Sequence, residues 1–270
     1  MVSRKESRYG VLQSSMMNYE SALAALYFEE LRLRPDGYLH AHSRNRAVIK
    51  RHVSIFERYS KFIPEPGAVL DWGCRQAPDA CLIRMLRGDS VELYGCDVDV
   101  GKYSVFYEFA GLKYTKLNEP YRLPYDNDQF DTVIGTGVLE HVPNDSASLS
   151  ELYRIIKPGG HFIMTMLPNY LSYTEFLNRR LGNPHHLRLY SLKKARNMFM
   201  HHGFLPVDAG YHQVFPSLSS PSVGIFDSLA ANQIVEALSS FNSIGEKLWP
   251  FRCFATNIFV FGRKVAAFHG

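Results

Sequence analysis

The sequence predicts an α/β protein built on a mostly parallel sheet, and three observations carry that expectation. Short apolar runs recur through the middle of the chain, separated by stretches with helical periodicity. Two of these runs end in an acid, at Asp71 and Asp97, and a glycine, Gly73, stands where the first strand must turn into a helix. Strands that alternate with helices at this interval imply right-handed crossovers and a ligand site at the carboxyl edge of the sheet.

Taken in order, the chain opens with Leu23, Leu26, Tyr27, Glu30 and Leu31 at helical spacing, closed by Pro35-Asp36-Gly37. Residues 38–46 form a polar connection, read as a solvated loop with groups that could reach over a ligand. A second helical pattern, Val48, Ile49, His52, Val53, Phe56 and Tyr59, runs to Pro64-Glu65-Pro66-Gly67. Val69 and Leu70 then make a short buried strand ending in Asp71-Trp72-Gly73-Cys74. From Asp79 onward, Ala80, Leu82, Ile83 and Leu86 read as a helix. A strand-to-helix turn of this kind offers backbone N–H groups and a helix N-terminus to a ligand.

Val91 to Asp97 is the second strand. A carboxylate at that position accepts hydrogen bonds from ribose hydroxyls in nucleotide-binding sheets, typically about 20 residues past the glycine turn, and the Gly73-to-Asp97 spacing fits. Asp99 reads as the N-cap of a helix starting near Val100. Leu112 to Leu117 gives a third strand, followed by Asn118 and Glu119, and Phe130 to Thr136 a fourth. Val138-Leu139-Glu140-His141-Val142-Pro143 connects to a helix over Ala147–Ile156, which Lys157-Pro158-Gly159-Gly160 closes as a turn before a fifth strand, His161–Met166. A helix from Ser191 to His202, a sixth strand over Phe204–Val207 and a seventh over Thr256–Phe261 complete the pattern. Between the last two strands, Ile225, Leu229, Ile234, Leu238 and Phe241 recur at helical intervals.

At 270 residues, 46% hydrophobic and 21% charged, the chain has the composition of a globular domain and neither a disordered nor a fibrous one. Its net charge of +4 comes from scattered Lys and Arg without a dense block, which argues against a nucleic-acid partner. The four cysteines, Cys74, Cys81, Cys96 and Cys253, contain no C-x-x-C pair and read as reduced core thiols. With neither a signal-like N-terminus nor an apolar run of membrane-spanning length, the expectation is a cytoplasmic protein without a membrane span. No metal site is predicted.

From Val69 to Gly160 the chain resembles the class I S-adenosylmethionine-dependent methyltransferases, in particular the type 11, small-molecule subgroup. Val69-Leu70-Asp71-Trp72-Gly73-Cys74 is similar to the family's first motif, and Cys96-Asp97 to its ribose-binding acid. Leu123-Pro124-Tyr125 through Phe130-Asp131 is similar to the segment before the fourth strand. Leu139-Glu140-His141 and Lys157-Pro158-Gly159-Gly160 match the motifs that follow. The resemblance implies a Rossmann-like methyltransferase fold, with a seven-stranded sheet whose last strand is antiparallel and with helices on both faces. It further implies a helical extension over residues 1–64 placed to cap the cofactor, a methyltransferase domain over 65–270, and a lid-like helical insertion at about 213–250.

The implied cofactor is S-adenosyl-L-methionine, released as S-adenosyl-L-homocysteine, and the implied partner is a small-molecule substrate bound by a monomer or homodimer. Asp71 and Gly73 would approach the methionine end, Asp97 would bind the ribose hydroxyls, Asn118 or Glu119 would lie near the adenine amino group, and Thr136 and Gly137 beside the methionyl portion, with Cys74, Arg75 and Val98 also counted as cofactor-binding. The chain departs from the family at Arg75 and Ala77, where glycine is usual. Three readings follow: a tolerated variant, an Arg75 that pairs with the cofactor carboxylate, or a degenerate site that binds without catalysing. The first is favoured, since the other motifs are intact.

Methyl transfer from a sulfonium is an in-line displacement that needs alignment above all, while a general base assists a hydroxyl or neutral amine. His186, in a loop whose His186-Leu187-Arg188-Leu189-Tyr190-Ser191 is similar to a family segment near the substrate entrance, is the first candidate base, followed by His141 and His185. Amino-directed nucleic-acid methyltransferases carry an Asn/Asp-Pro-Pro-aromatic motif where this chain has Gly135-Thr136-Gly137-Val138, and a dinucleotide dehydrogenase wants a G-x-G-x-x-G that is absent here. A binding-only methyltransferase fold remains the alternative from another functional class.

Overall fold

A computed structural model of the chain describes residues 18–34, 39, 46–99, 101–119, 121–182, 186, 188–215 and 229–265. Seven strands form one sheet in the order β3-β2-β1-β4-β5-β7-β6. They are β1 (Gly67–Trp72), β2 (Val91–Asp97), β3 (Lys113–Lys116), β4 (Phe130–Thr136), β5 (Ile156–Pro168), β6 (Phe204–His212) and β7 (Asn257–Lys264). β1 to β5 pair in parallel, and β7 runs antiparallel between β5 and β6, the arrangement that the family resemblance implies. The strand order reverses between β1 and β4, so their carboxyl ends open a crevice.

Side-chain alternation along β1 feeds two cores. Val69 joins a cluster with Leu23, Ile49, Phe56, Ile83 and Phe106, which come from α1 (Tyr19–Leu33), α2 (Arg46–Tyr59), α3 (Pro78–Arg87) and α4 (Ser104–Ala110). Leu70 and Trp72 turn to the opposite face and pack with Leu149, Leu152, Ala195 and Phe199 from α5 (Asp145–Ile155) and α7 (Leu192–His201). Helices therefore cover both faces. A further helix, α6 (Tyr173–Arg180), follows β5, while α8 (Leu229–Ser239) and α9 (Asn242–Gly245) lie between β6 and β7. Among the described residues, no helix is long and apolar enough to cross a membrane. Cys74, Cys81 and Cys96 are buried free thiols, whereas Cys253, expected in the core, is half-buried.

Several boundaries depart from the sequence reading for local reasons. The helix expected near Val100 begins at Ser104, and Asp99 is not its cap: the Asp99 N–H instead donates to Asp97 Oδ1 at 3.2 Å, which turns the chain back over the end of β2. Val105 N–H is satisfied from outside the helix by Glu30 Oε2 of α1, at 2.8 Å. Lys157–Gly160 is not a turn after a helix but an irregularity inside β5, where the pairing with β4 shifts register and Gly159 takes φ +79°. The α6 helix was not expected at all, although Ser172-Tyr173-Thr174-Glu175 carries a capping-box pattern, and Ser172 Oγ accepts the Glu175 N–H at 3.3 Å.

Candidate active site

At the carboxyl ends of β1, β2 and β4 lies a cavity of about 430 Å³. Its floor is the turn from β1 into α3. Gly73, at φ +68°, and Cys74 both donate their N–H groups to Cys96 O, at 2.8 and 3.1 Å, which ties the turn to β2. A Cβ on Gly73 would stand 2.5 Å from Val138 Cγ2, so glycine is required there. Arg75 and Ala77 also adopt left-handed backbone, at φ 44° and 58°. The two positions that lack the usual glycines thus keep glycine-type geometry, and Ala77 ends the turn as the N-cap residue of α3.

Asp71 and Asp79 give the floor two buried carboxyl groups. Asp79, in the first turn of α3, accepts hydrogen bonds from Tyr59 Oη at 2.5 Å and Thr136 Oγ1 at 2.8 Å. Asp71 is 3% exposed and lines the cavity, and its Oδ2 has no hydrogen-bond partner among the described residues. Burial pushes the Asp71 carboxyl well above the usual range, and the neighbouring Asp79 pushes the same way, against the Ala80 N–H, which favours the charge. Asp79 is raised as well, by burial. Gln76, which lines the same cavity, is buried and its Nε2 likewise lacks a partner among the described residues. An unpartnered acceptor and an unpartnered donor on one cavity wall suit a ligand with both an ammonium and a carboxylate.

Of the residues singled out for a cofactor, Asp71, Gly73, Cys74, Arg75, Asp97, Val98, Thr136 and Gly137 all line this cavity. Asp97 closes its β2 side, with Oδ2 accepting the Arg75 N–H at 3.0 Å. Asn118 and Glu119 do not line it: both are exposed, and the wall there is the buried Leu117. Gln76 and Asp79 escaped the sequence reading because they read as turn and helix-start residues. Tyr27 and His52 escaped it because helices distant in sequence bring them to the cavity. Among the described residues, none of the segment 213–250 lines it.

The candidate bases divide. His141 lines the cavity, His186 lies beside it with ring centroids 5.6 Å apart, and His185 lies outside the described residues. His186 Nδ1 meets Glu175 Oε1 of α6 at 2.7 Å. Burial pulls the His186 imidazole down, but the Glu175 bond and the charges of Glu140 and Glu175 outweigh it and leave the pKa raised. His141 is lowered, by burial and then by the positive charges of His186 and Arg75. Glu140, the middle residue of Leu139-Glu140-His141, is buried, with a donor atom within 4.8 Å of one on each of the two histidines. Burial lifts its carboxyl to about 7.

Arg188 fixes this corner, donating to Leu139 O, Val142 O and Pro143 O at 3.1, 3.0 and 3.2 Å. Arg179 donates to His186 O at 2.9 Å. The corner therefore combines a fixed carboxylate, two imidazoles and a second carboxylate that orients one of them, a set suited to acting on a substrate proton.

Comparison with known proteins agrees with this geometry. A family model described as a methyltransferase domain matches residues 40–209. A demethylmenaquinone methyltransferase of Streptomyces avermitilis is 35% identical over 98 residues, covering 30% of this chain and 42% of that protein. The chain thus spans about two fifths of the length of the curated relatives it matches first. Among solved structures, a possible histamine N-methyltransferase from Thermotoga maritima superposes with a TM-score of 0.59 at 14% identity, over 88% of this chain and 99% of that one. The phosphoethanolamine N-methyltransferase 2 of Haemonchus contortus, solved with S-adenosyl-L-methionine, superposes at 0.57 with 15% identity, over 93% of this chain and 61% of that one.

Proposed function

The chain belongs to the methyltransferase-domain family, and from that premise we propose that it moves a methyl group from S-adenosyl-L-methionine to a hydroxyl or amine of a small molecule, such as a sugar or a natural product. The observation that carries the reading is the buried pair Asp71 and Gln76, an acceptor and a donor without partners among the described residues, on the floor of a cavity at the sheet's switch point. They suit the ammonium and carboxylate of the cofactor's methionyl end, and Asp97 at the end of β2 suits its ribose hydroxyls. Gly73 and Gly137 keep the backbone low where the cofactor would lie. Tyr27 and His52 close the cavity from the N-terminal helices and would cap the bound molecule.

Bound S-adenosyl-L-methionine supplies a methyl group on a sulfonium, activated for displacement. The protein's share is to hold the acceptor in line with that methyl, worth roughly 7–11 kcal/mol of barrier. His141 and His186, with Glu175 behind His186, are the groups that govern the acceptor's proton, a contribution of typically 10²–10⁴-fold. The names of the relatives point to demethylmenaquinone, histamine and phosphoethanolamine, three unlike acceptors, and what supports a hydroxyl or amine here is the histidine corner beside the cavity. The left-handed backbone at Arg75 and Ala77 keeps the turn open to a cofactor, which favours catalysis over a binding-only role.

The test is S-adenosyl-L-homocysteine formation with S-adenosyl-L-methionine and a panel of hydroxyl and amine acceptors. Turnover with one acceptor class, reduced about 10²-fold or more by His186→Ala, is expected. A folded protein that binds the cofactor and forms no product across both classes would instead be a binding module.

A further inference from the structure

Glu140, His141 and His186 each offer one donor atom, and the three atoms lie within 4.8 Å of one another. His141 Nε2 is 3.8 Å from Glu140 Oε1, too long for a hydrogen bond between them. The Glu140 side chain is only 2% exposed, and its Oε2 has no hydrogen-bond partner among the described residues. A buried carboxylate oxygen left without a donor is costly, by about 1–3 kcal/mol or more for a charged group, unless something positive satisfies it. A proton relay through Glu175 and His186 explains the 2.7 Å bond between those two but supplies no hydrogen-bond partner for Glu140 Oε2.

We propose that Glu140, His141 and His186 form a binding site for one divalent transition-metal ion, opening on the cavity, and that the acceptor's hydroxyl takes an open position on that ion. Two imidazoles and one carboxylate match the donor sets that hold Zn²⁺ or Fe²⁺ with positions left for water or substrate, and they disfavour Mg²⁺, which prefers oxygen donors. Donor atoms on a shared ion of this kind sit roughly 3–4 Å apart, given bonds near 2.0–2.2 Å, so the observed cluster needs only a small contraction.

The surroundings have the form that metal-binding histidines require. Glu175 holds His186 through Nδ1, which orients the ring to bind through Nε2 and raises its basicity. Arg188 pins the backbone on both sides of Glu140 and His141 through its bonds to Leu139, Val142 and Pro143, and Arg179 pins the backbone of His186. Both guanidiniums thus spend hydrogen bonds on carbonyls while fixing the ligand-bearing segments.

The role in catalysis rests on the methyl-transfer reading, whereas the binding of the ion does not. A hydroxyl coordinated here becomes more acidic. Its O–H bond breaks, the electron pair stays on the acceptor oxygen and the proton leaves to solvent. That oxygen is then the nucleophile the transfer needs, and the two histidines govern the acceptor's proton through the ion.

The experiment is a titration of the full chain, stripped with EDTA and dialysed, with Co²⁺ followed by visible absorption, and with Zn²⁺ in competition. One Co²⁺ per chain is expected, displaced by Zn²⁺ and not by equimolar Mg²⁺. Glu140→Gln and His141→Ala should each weaken binding by more than about 100-fold, and Glu175→Gln by about 10–100-fold through loss of the orienting bond. His141 is 61% exposed, so His141→Ala serves even where a Glu140 variant fails to fold. No stoichiometric Co²⁺ binding by folded wild-type protein, or binding indifferent to His141→Ala, overturns the site. Calorimetry with S-adenosyl-L-homocysteine in EDTA separates the two readings. Co²⁺ binding without homocysteine-cofactor binding keeps the ion site and removes its catalytic role, and the converse removes the ion site alone.

Discussion

At the residue scale, the turn after β1 holds two side chains in conformations that glycine adopts more readily. Left-handed backbone costs a non-glycine residue roughly 1–2 kcal/mol, while glycine loses about 0.4–1 kcal/mol through the freedom it adds to the unfolded chain. Arg75 is exposed, so Arg75→Gly removes little packing, and it should leave stability unchanged or raise it by up to about 1 kcal/mol in urea unfolding. A loss larger than that would mean that the arginine's own contacts outweigh the backbone strain. Asp71 presents the opposite balance, between stability and function. The folded state raises its pKa, so the stability it contributes is present in full below the unfolded carboxylate value and is lost as pH rises through the folded value. Raising the pH toward and through that folded value therefore works against the ligand-free cavity floor. Asp71→Asn should stabilise the ligand-free protein at pH 8 by about 1–3 kcal/mol, with the gain shrinking toward pH 4, and should weaken cofactor binding at least 10-fold. Thermal scans at both pH values and calorimetry read the two effects.

At the scale of elements, the N-terminal helices belong to the site's architecture as much as the sheet does. Glu30 on α1 supplies the cap that α4 lacks from Tyr103, and the same helix carries Tyr27 to the cavity. Glu30→Ala leaves the Val105 N–H unsatisfied in a buried corner, which should cost about 1–3 kcal/mol and weaken cofactor binding as Tyr27 loses its support. Urea unfolding with an unchanged slope, alongside calorimetry, checks both parts. The parallel strands were legible in the sequence because each is a short apolar run bounded by turn residues, and β1 and β2 close on acids. The α6 helix was not legible because, at 8 residues, it offers little signal beyond its capping box. The start of α4 was misplaced because its cap comes from α1, some 75 positions away in the chain, which no local pattern encodes.

At the scale of the whole molecule, the strand order places β1, β2 and β4 side by side, and the cavity follows from that order. The cofactor side was legible because its residues follow strand ends within single motifs: Asp71, Asp97 and Thr136 reach one cavity as expected from their positions alone. The acceptor side was legible only in pieces. His141 and His186 were visible as separate histidines, but Glu175 and Glu140 acquire their meaning from folding, which brings α6, the His186 loop and the β4 exit to one corner. Asn118 and Glu119 show the reverse, being correctly placed in sequence after β3 yet turned to solvent past Leu117.

Binding of S-adenosyl-L-methionine in the cavity at the switch point is what the proposed transfer depends on. Calorimetric titration of the purified chain with S-adenosyl-L-homocysteine, in EDTA to silence any bound ion, tests it most directly. One site per chain with a dissociation constant below about 100 μM is expected, lost or weakened at least 10-fold in Asp71→Asn. A folded wild-type protein that takes up no S-adenosyl-L-homocysteine at millimolar concentration would contradict the account.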